Sequence, residues 1–173
     1  HGASCACADT TLSSVCTTAC PVWTGCTGTE QLAVSDVTRL QAMIERSAFH
    51  QLFRPVVLEA DAETLKLSLK AHMSDTLERQ PGTGQWHGGA VSALVDTAGC
   101  YALALLAGEP LPTVNFRTDY LRPGVETDLI ANAYVRRAGR TIGVVDVDVL
   151  DDAARLIAVG RASYSIQGGL KAR

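Results

Sequence analysis

From His87 to Ala107 the chain reads His-Gly-Gly-Ala-Val-Ser-Ala-Leu-Val-Asp-Thr-Ala-Gly-Cys-Tyr-Ala-Leu-Ala-Leu-Leu-Ala, with Asp96 its only acidic residue and no Lys or Arg. The segment is too long and too rich in Ala and Leu for a strand, and it reads as a helix apolar around nearly its whole circumference. Such a helix must be covered on most sides, so the rest of the chain has to fold around it. Its longest apolar stretch, Ala98 to Ala107, contains Gly99, Cys100 and Tyr101 and falls short of the roughly 20 residues that span a bilayer. No transmembrane helix is expected.

The covering layer is legible as strands. Arg54 to Ala62 and Leu65 to His72 form two, joined near Asp61 to Thr64; the second sets Leu65, Leu67, Leu69 and Ala71 against Lys66, Ser68, Lys70 and His72. That alternation buries one face and wets the other. A loop punctuated by Pro81, Gly82 and Gly84 leads into the central helix, and four more strands follow it, about Pro112 to Leu121, Thr127 to Arg137, Arg140 to Leu150 and Arg155 to Ile166. Hairpin turns are supplied by Ala138-Gly139 and Asp151-Asp152-Ala153. In the last strand the small residues Ala158, Gly160 and Ala162 leave room for a helix to lie against the sheet. Ahead of all this, Val37, Leu40, Met43, Ile44, Ala48 and Leu52 recur at helical spacing after Ser35 and Asp36, which predicts an amphipathic leading helix from Asp36 to Phe53. The expected fold is α+β, an antiparallel sheet of about six strands wrapped around a long central helix and preceded by an N-terminal helix.

Composition divides the 173 residues in two. Five of the six cysteines (Cys5, Cys7, Cys16, Cys20, Cys26) fall in the first 26 residues, and no Lys or Arg precedes Arg39. Residues 1–35 are rich in Thr, Ser, Cys and Gly without periodicity and are expected to be a disordered or accessory segment. Their cysteine spacing lacks the paired knuckles and His partners of a zinc site, and they lack the basic start and apolar run of a secretory signal. Residues 36–173 form the expected domain. They hold 15 basic and 16 acidic residues, net −1, with Cys100 the single cysteine. One thiol suits a reducing cytoplasm, and the low charge argues against nucleic acid as a partner.

The chemistry centres on the apolar helix. Trp86-His87-Gly88-Gly89 places small residues and free backbone N–H groups at its positive end, where negative charge on an oxygen is stabilised. Nine residues after His87, Asp96 must be hydrogen-bonded or functional, because an unpaired carboxylate in low dielectric costs several kcal/mol. A bond to Ser92, to Thr97 or to backbone would satisfy it without catalysis, and a lone His before Gly-Gly, as His87 is, is more often a loop or capping residue than a catalytic one.

The run from His87 to Ala98 resembles the signature of hotdog-fold acyl-CoA thioesterases, of the phenylacetyl-CoA thioesterase type. The resemblance continues through Thr113-Val114-Asn115-Phe116-Arg117-Thr118-Asp119-Tyr120-Leu121-Arg122-Pro123-Gly124 and Arg136-Arg137-Ala138-Gly139-Arg140. It covers about three quarters of the chain, from Val37 to Ile166, and none of the Cys-rich start. It implies a hotdog fold and roles for matching positions: the Gly88 N–H polarises the thioester carbonyl, Asp96 is the catalytic carboxylate, His87 orients the thioester or the loop, and Thr113 holds the attacking water. Many relatives place an Asn or Gln several residues before the His. Here Pro81 stands six positions before it, and Gln80 or Gln85 is the available substitute. Gly89 and Gln85 join the substrate-binding set, with Arg122, Arg136, Arg137 and Arg140 as candidates for the phosphates of CoA. Leu94, Val95 and Tyr101 are available to line an acyl pocket.

Helix geometry adds a constraint independent of the resemblance. Gly88 and Asp96 are eight residues apart, about 12 Å along one helix at 1.5 Å per residue. A carbonyl and its attacking water span only about 3 Å. Two catalytic groups so placed must come from different subunits, across antiparallel helices related by a two-fold axis. A dimer follows, and the resemblance implies that dimers pair into tetramers. The expected reaction is hydrolysis of an acyl-CoA thioester, with Asp96 as general base or nucleophile and without metal or cofactor. The alternative is an acyl-CoA sensor that binds without hydrolysis. A hydratase on the same fold generally has a His closely after its Asp, and no His follows His87. Cys100 reads as a core thiol, and His50 and His72 as surface residues.

Overall fold

The computed structural model describes residues 35–166; the expectation for residues 1–35 falls, apart from Ser35, outside them. The chain opens with α1 (Asp36–Glu45), whose N-cap Ser35 accepts from Thr38 N–H at 3.2 Å and whose Leu40 and Ile44 are buried. The leading helix was expected to run to Phe53 but stops at Glu45, and a 3₁₀ turn (Phe49–Leu52) follows. The last carbonyls of α1 accept from side chains: His50 Nδ1 lies 3.0 Å from Ile44 O, and Gln51 Nε2 donates to Glu45 O at 3.0 Å. The break folds His50 inward. It is 9% exposed and meets Phe49, Phe53 and Tyr101 edge-on, with centroids 5.6–6.1 Å apart. The surface position read from the sequence is therefore wrong for His50, because that reading assumed an unbroken helix. His72 does stay exposed, bonded to Asp128 at 2.7 Å.

Six strands follow: β1 (Val56–Asp61), β2 (Lys66–Ala71), β3 (Thr113–Tyr120), β4 (Leu129–Ala138), β5 (Ile142–Asp151) and β6 (Leu156–Ser165). They form one antiparallel sheet in the order β1-β2-β4-β5-β6-β3, so β3 is an edge strand paired only to β6. Alternation sets the buried face as expected. Leu67, Leu69 and Ala71, then Leu129, Ala131 and Ala133, then Val145, Val147 and Val149 are all buried. Turn chemistry holds the register. Asp61 accepts from Glu63 and Thr64 N–H at 2.7 and 3.1 Å, and Asp151 accepts from Ala153 and Arg155 N–H at 3.0 and 2.8 Å.

The second helix, α2 (Gly88–Ala107), packs against this sheet and ends at Gly108, whose φ of 80° stops the helix. By length and composition α2 could cross a bilayer; here its apolar sides face the strands. Helix and sheet approach until side chains interlock through missing ones. A Cβ at Gly160 of β6 would overlap Val95 Cγ1, one at Gly143 of β5 would overlap Leu103, and one at Gly99 of α2 would overlap the Tyr164 hydroxyl. The architecture is an antiparallel sheet packed on a long helix, as the residue pattern predicts, and is a hotdog fold, as the resemblance implied. Because the obstacle at Gly160 includes the Arg117 carbonyl as well as Val95, a Gly160→Ala variant should lose about 1–3 kcal/mol of stability. Thermal unfolding checks this, with a fall of at least about 3 °C expected and an unchanged Tm counting against so close a contact.

Candidate functional site

The loop before α2 is fastened at both sides. Glu78 accepts from Gly82 N–H at 2.5 Å and Gly84 N–H at 2.9 Å, Arg79 N–H donates to Gln85 O at 2.7 Å, and Trp86 donates from its backbone to Gly124 O and from its indole to Thr127 O. His87 N–H donates to Leu77 O at 2.8 Å. The helix entry is thereby held while its first turn stays open to solvent.

His87 is the N-cap of α2. Its Nδ1 accepts from Gly89 N–H at 2.9 Å, which places the ring proton of the neutral imidazole on Nε2. Its carbonyl takes the N–H groups of Ala90 and Val91 at 2.9 and 3.2 Å. Of the four N–H groups that begin the helix, the one with no protein acceptor among the described residues is that of Gly88. It borders a cavity of about 620 Å³, lined also by Gln85, Trp86, Gly89, Tyr120 and Arg122. An unengaged donor at a positive helix end is a group suited to an oxyanion.

Two helical turns on, Asp96 is half-buried. The hydroxyl that holds it is that of Thr113, donating to Oδ1 at 2.9 Å, and not Ser92 or Thr97, the partners the sequence offered. Ser92 turns to Thr118 and Tyr120, and Thr97 to His50, 3.5 Å away. Tyr164, fully buried on β6, donates to the Asp96 backbone carbonyl at 2.8 Å and lies 3.4 Å from Oδ1. Carboxylate atom Oδ2 keeps no protein donor among the described residues. Burial first, and then the Asp96 charge, hold the Tyr164 phenol well above the ordinary range. Burial also pushes the Cys100 thiol up to about 11, partly offset by a hydrogen bond with Leu111. A thiol so placed is protonated at neutral pH and is a poor nucleophile. Asp96 borders a second cavity, about 440 Å³, with Met43, Ser47, His50, Tyr101 and Thr113.

The two cavities share no lining residue. The Gly88 end and the Asp96 middle of α2 thus face separate openings of the chain, as eight residues of helix rise require. Of the arginines singled out, Arg122 lines the Gly88 cavity and donates to Leu156 O at 2.8 Å. Arg136 is on the outer sheet face, bonded to Asp146 at 2.8 Å, while Arg137 and Arg140 stand by the β4–β5 hairpin; none of these three lines the Gly88 cavity. Leu94 and Val95 are fully buried and line neither of these two cavities, whereas Tyr101 borders the Asp96 cavity. The sequence reading missed Arg79 and Tyr120, which also border the Gly88 cavity. Arg79 carried no motif. Tyr120 lay in the run from Thr113 to Gly124 without a role, because Gly88, Ser92 and Asp96, four residues apart on α2, meet Tyr120, Thr118 and Thr113 along β3 only in the folded chain.

Comparison with known proteins identifies the family. A profile of the thioesterase superfamily matches residues 83–158, which include α2 and most of the sheet that follows. A candidate esterase of Halobacterium salinarum is 34% identical over 120 residues, 64% of this chain and 78% of that protein. The acyl-coenzyme A thioesterase PaaI of Escherichia coli is 34% identical over 101 residues, 56% of this chain and 69% of that protein. Among solved structures, a protein from the thioesterase superfamily superposes with a TM-score of 0.73 at 33% identity, covering 78% of this chain and all of the other. With an apolar helix in a six-stranded sheet, an open donor at Gly88 and a carboxylate at Asp96, the chain belongs to the thioesterase superfamily and is a thioester hydrolase in kind.

Proposed function

We propose that this protein hydrolyses an acyl-CoA thioester to the free acid and CoA at sites shared between two subunits. The observation that carries the reading is the open Gly88 N–H at the start of α2, on the same helix as a carboxylate whose Oδ1 is engaged and whose Oδ2 is not. In this reading the Gly88 N–H and the helix dipole take the negative charge that develops on the thioester oxygen. Asp96 of the other subunit removes a proton from the attacking water through Oδ2, while Thr113 orients the carboxylate. The sulfur leaves as the CoA thiol.

A dimer of this kind is supported by what lies beside the site. Edge strand β3 exposes Val114 and Phe116 at 58% and 40%, apolar surface at an unpaired edge. Next to it the half-exposed side of α2 carries the small residues Gly89, Ser92 and Ala93, so a second helix could approach closely. Pairing dimers into a tetramer belongs to the same proposal. Arg122 and Arg79 at the Gly88 cavity would meet the phosphates of CoA. The single cysteine of residues 36–173 suits a reducing compartment such as the cytoplasm.

A panel of short, long and aromatic acyl-CoA esters assayed for thiol release should show turnover of at least one class. Tight binding of the panel with no thiol released would instead make this a ligand sensor. Asp96→Asn should abolish turnover while leaving CoA binding and the dimer intact. Gly88→Pro deletes the N–H at a position where proline suits a helix, after a residue already extended at ψ 132°, and should lower kcat by about 10²–10³-fold. Refolding the two inactive variants together tests the shared site. Mixed dimers hold one intact site, so about one quarter of the wild-type rate should return. No recovery from verified mixed dimers would show that Gly88 and Asp96 do not act across the subunits. In heavy-oxygen water a single turnover should carry the label into the acid product; label retained on Asp96 would identify the carboxylate as a nucleophile instead.

A further inference from the structure

Two consecutive glycines at a helix start leave the backbone with no side chain to restrain it, and glycine loses more conformational freedom on ordering than any other residue. The Gly88–Gly89 peptide must therefore be held from outside. Its N–H end is taken by His87 Nδ1 at 2.9 Å. Its carbonyl end is taken by Tyr120, whose hydroxyl donates to Gly88 O at 2.7 Å. The Tyr120 ring covers the same glycine, with its Cζ and Oη 3.4 Å from where a Cβ would stand. Ser92 Oγ, one turn along α2, approaches the Tyr120 hydroxyl at 2.5 Å and also faces Thr118 Oγ1 at 3.3 Å.

Tyr120 is itself anchored. It ends β3 in register with Ala158, and the two residues after it, Leu121 and Arg122, both donate to Ile157 O, at 2.8 and 3.1 Å. Half of its surface is nevertheless open, in the cavity that the Gly88 N–H borders. The peptide it clamps shares the Gly88 Cα with the peptide that carries the open N–H, so holding one plane sets the direction of the other.

We propose that Tyr120 is a positioning residue for the Gly88 N–H: with His87 it clamps the Gly88–Gly89 peptide, and so aims the donor that receives the thioester oxygen. The catalytic half of this inference rests on the hydrolytic reading; the clamp itself does not. Tyr120→Phe keeps the ring over Gly88 and removes only the hydroxyl. In a protein of unchanged oligomeric state this variant should lose about tenfold in kcat with KM within about twofold, since small misplacement of a catalytic group costs turnover more than binding. Amide hydrogen exchange followed by NMR gives a readout free of activity. The Gly89 N–H, released from its clamped plane, should exchange about tenfold faster in Tyr120→Phe than in the parent protein. An unchanged Gly89 exchange rate overturns the clamp whatever the activity. Faster exchange with unchanged kcat overturns the catalytic positioning, and loss of the dimer with kcat and KM moving together assigns Tyr120 to the interface instead. If the parent protein releases thiol from no acyl-CoA ester, the hydrolytic reading and the catalytic half fail together, and the exchange comparison still decides the clamp.

Discussion

A helix with almost no polar side persists only where another surface covers it, and here the cover is a sheet that comes close enough to exclude Cβ atoms at Gly99, Gly143 and Gly160. That contact puts Val95, Leu103 and Tyr164 into the spaces the glycines leave. It also sets how far the edge strand stands from the helix. Close packing transmits position, because neither surface can shift without opening a void or forcing an overlap. The site inherits its geometry from this contact.

Along most of α2 the neighbours are apolar, but the side that meets β3 is different. Gly88, Ser92, Asp96 and Cys100 follow one another at intervals of four and meet Tyr120, Thr118, Thr113 and Leu111 in descending order. Each contact is a hydrogen bond between helix and edge strand or the residues leading into it. A bulge between Thr113 and Asn115 sits where Thr113 reaches Asp96. Polar groups are tolerated on this side because β3, at the edge of the sheet, leaves them partly open to water and gives each a partner. The same openness makes the stripe usable for chemistry. A carboxylate placed on the opposite side of α2, against β4 and β5, would be buried among Ala131, Val145 and Val147 without such partners.

The strand pattern was readable because alternation has a direct cause, one face toward the helix and one toward solvent; β2 and β5 follow it residue by residue, and β4 does so as far as Tyr134. The ends of elements were less so. Nothing in the spacing of Ala48 and Leu52 signals that α1 stops at Glu45, since the stop depends on His50 and Gln51 reaching back to its carbonyls. The choice of hydroxyl for Asp96 was misread for a related reason. Ser92 and Thr97 are near in sequence, whereas Thr113 is brought to it by the sheet. Arg79 and Tyr120 went unnoticed because they become neighbours of Gly88 only when the loop and β3 close on the helix.

The sequence by itself determined that a nearly apolar helix with a single carboxylate would be buried in an antiparallel sheet, and that Gly88 and Asp96 would be too far apart to serve one centre. Both follow from local periodicity and a fixed rise per residue. Only the tertiary structure decided which donor at the helix start stays free, which hydroxyl holds Asp96 and which arginine stands at the Gly88 cavity. Those outcomes depend on side chains that converge from distant positions, 17 residues apart for Thr113 and Asp96 and 32 for Tyr120 and Gly88. Hydrogen bonds act over about 3 Å, and no pattern along the chain carries that distance until the sheet has closed around the helix.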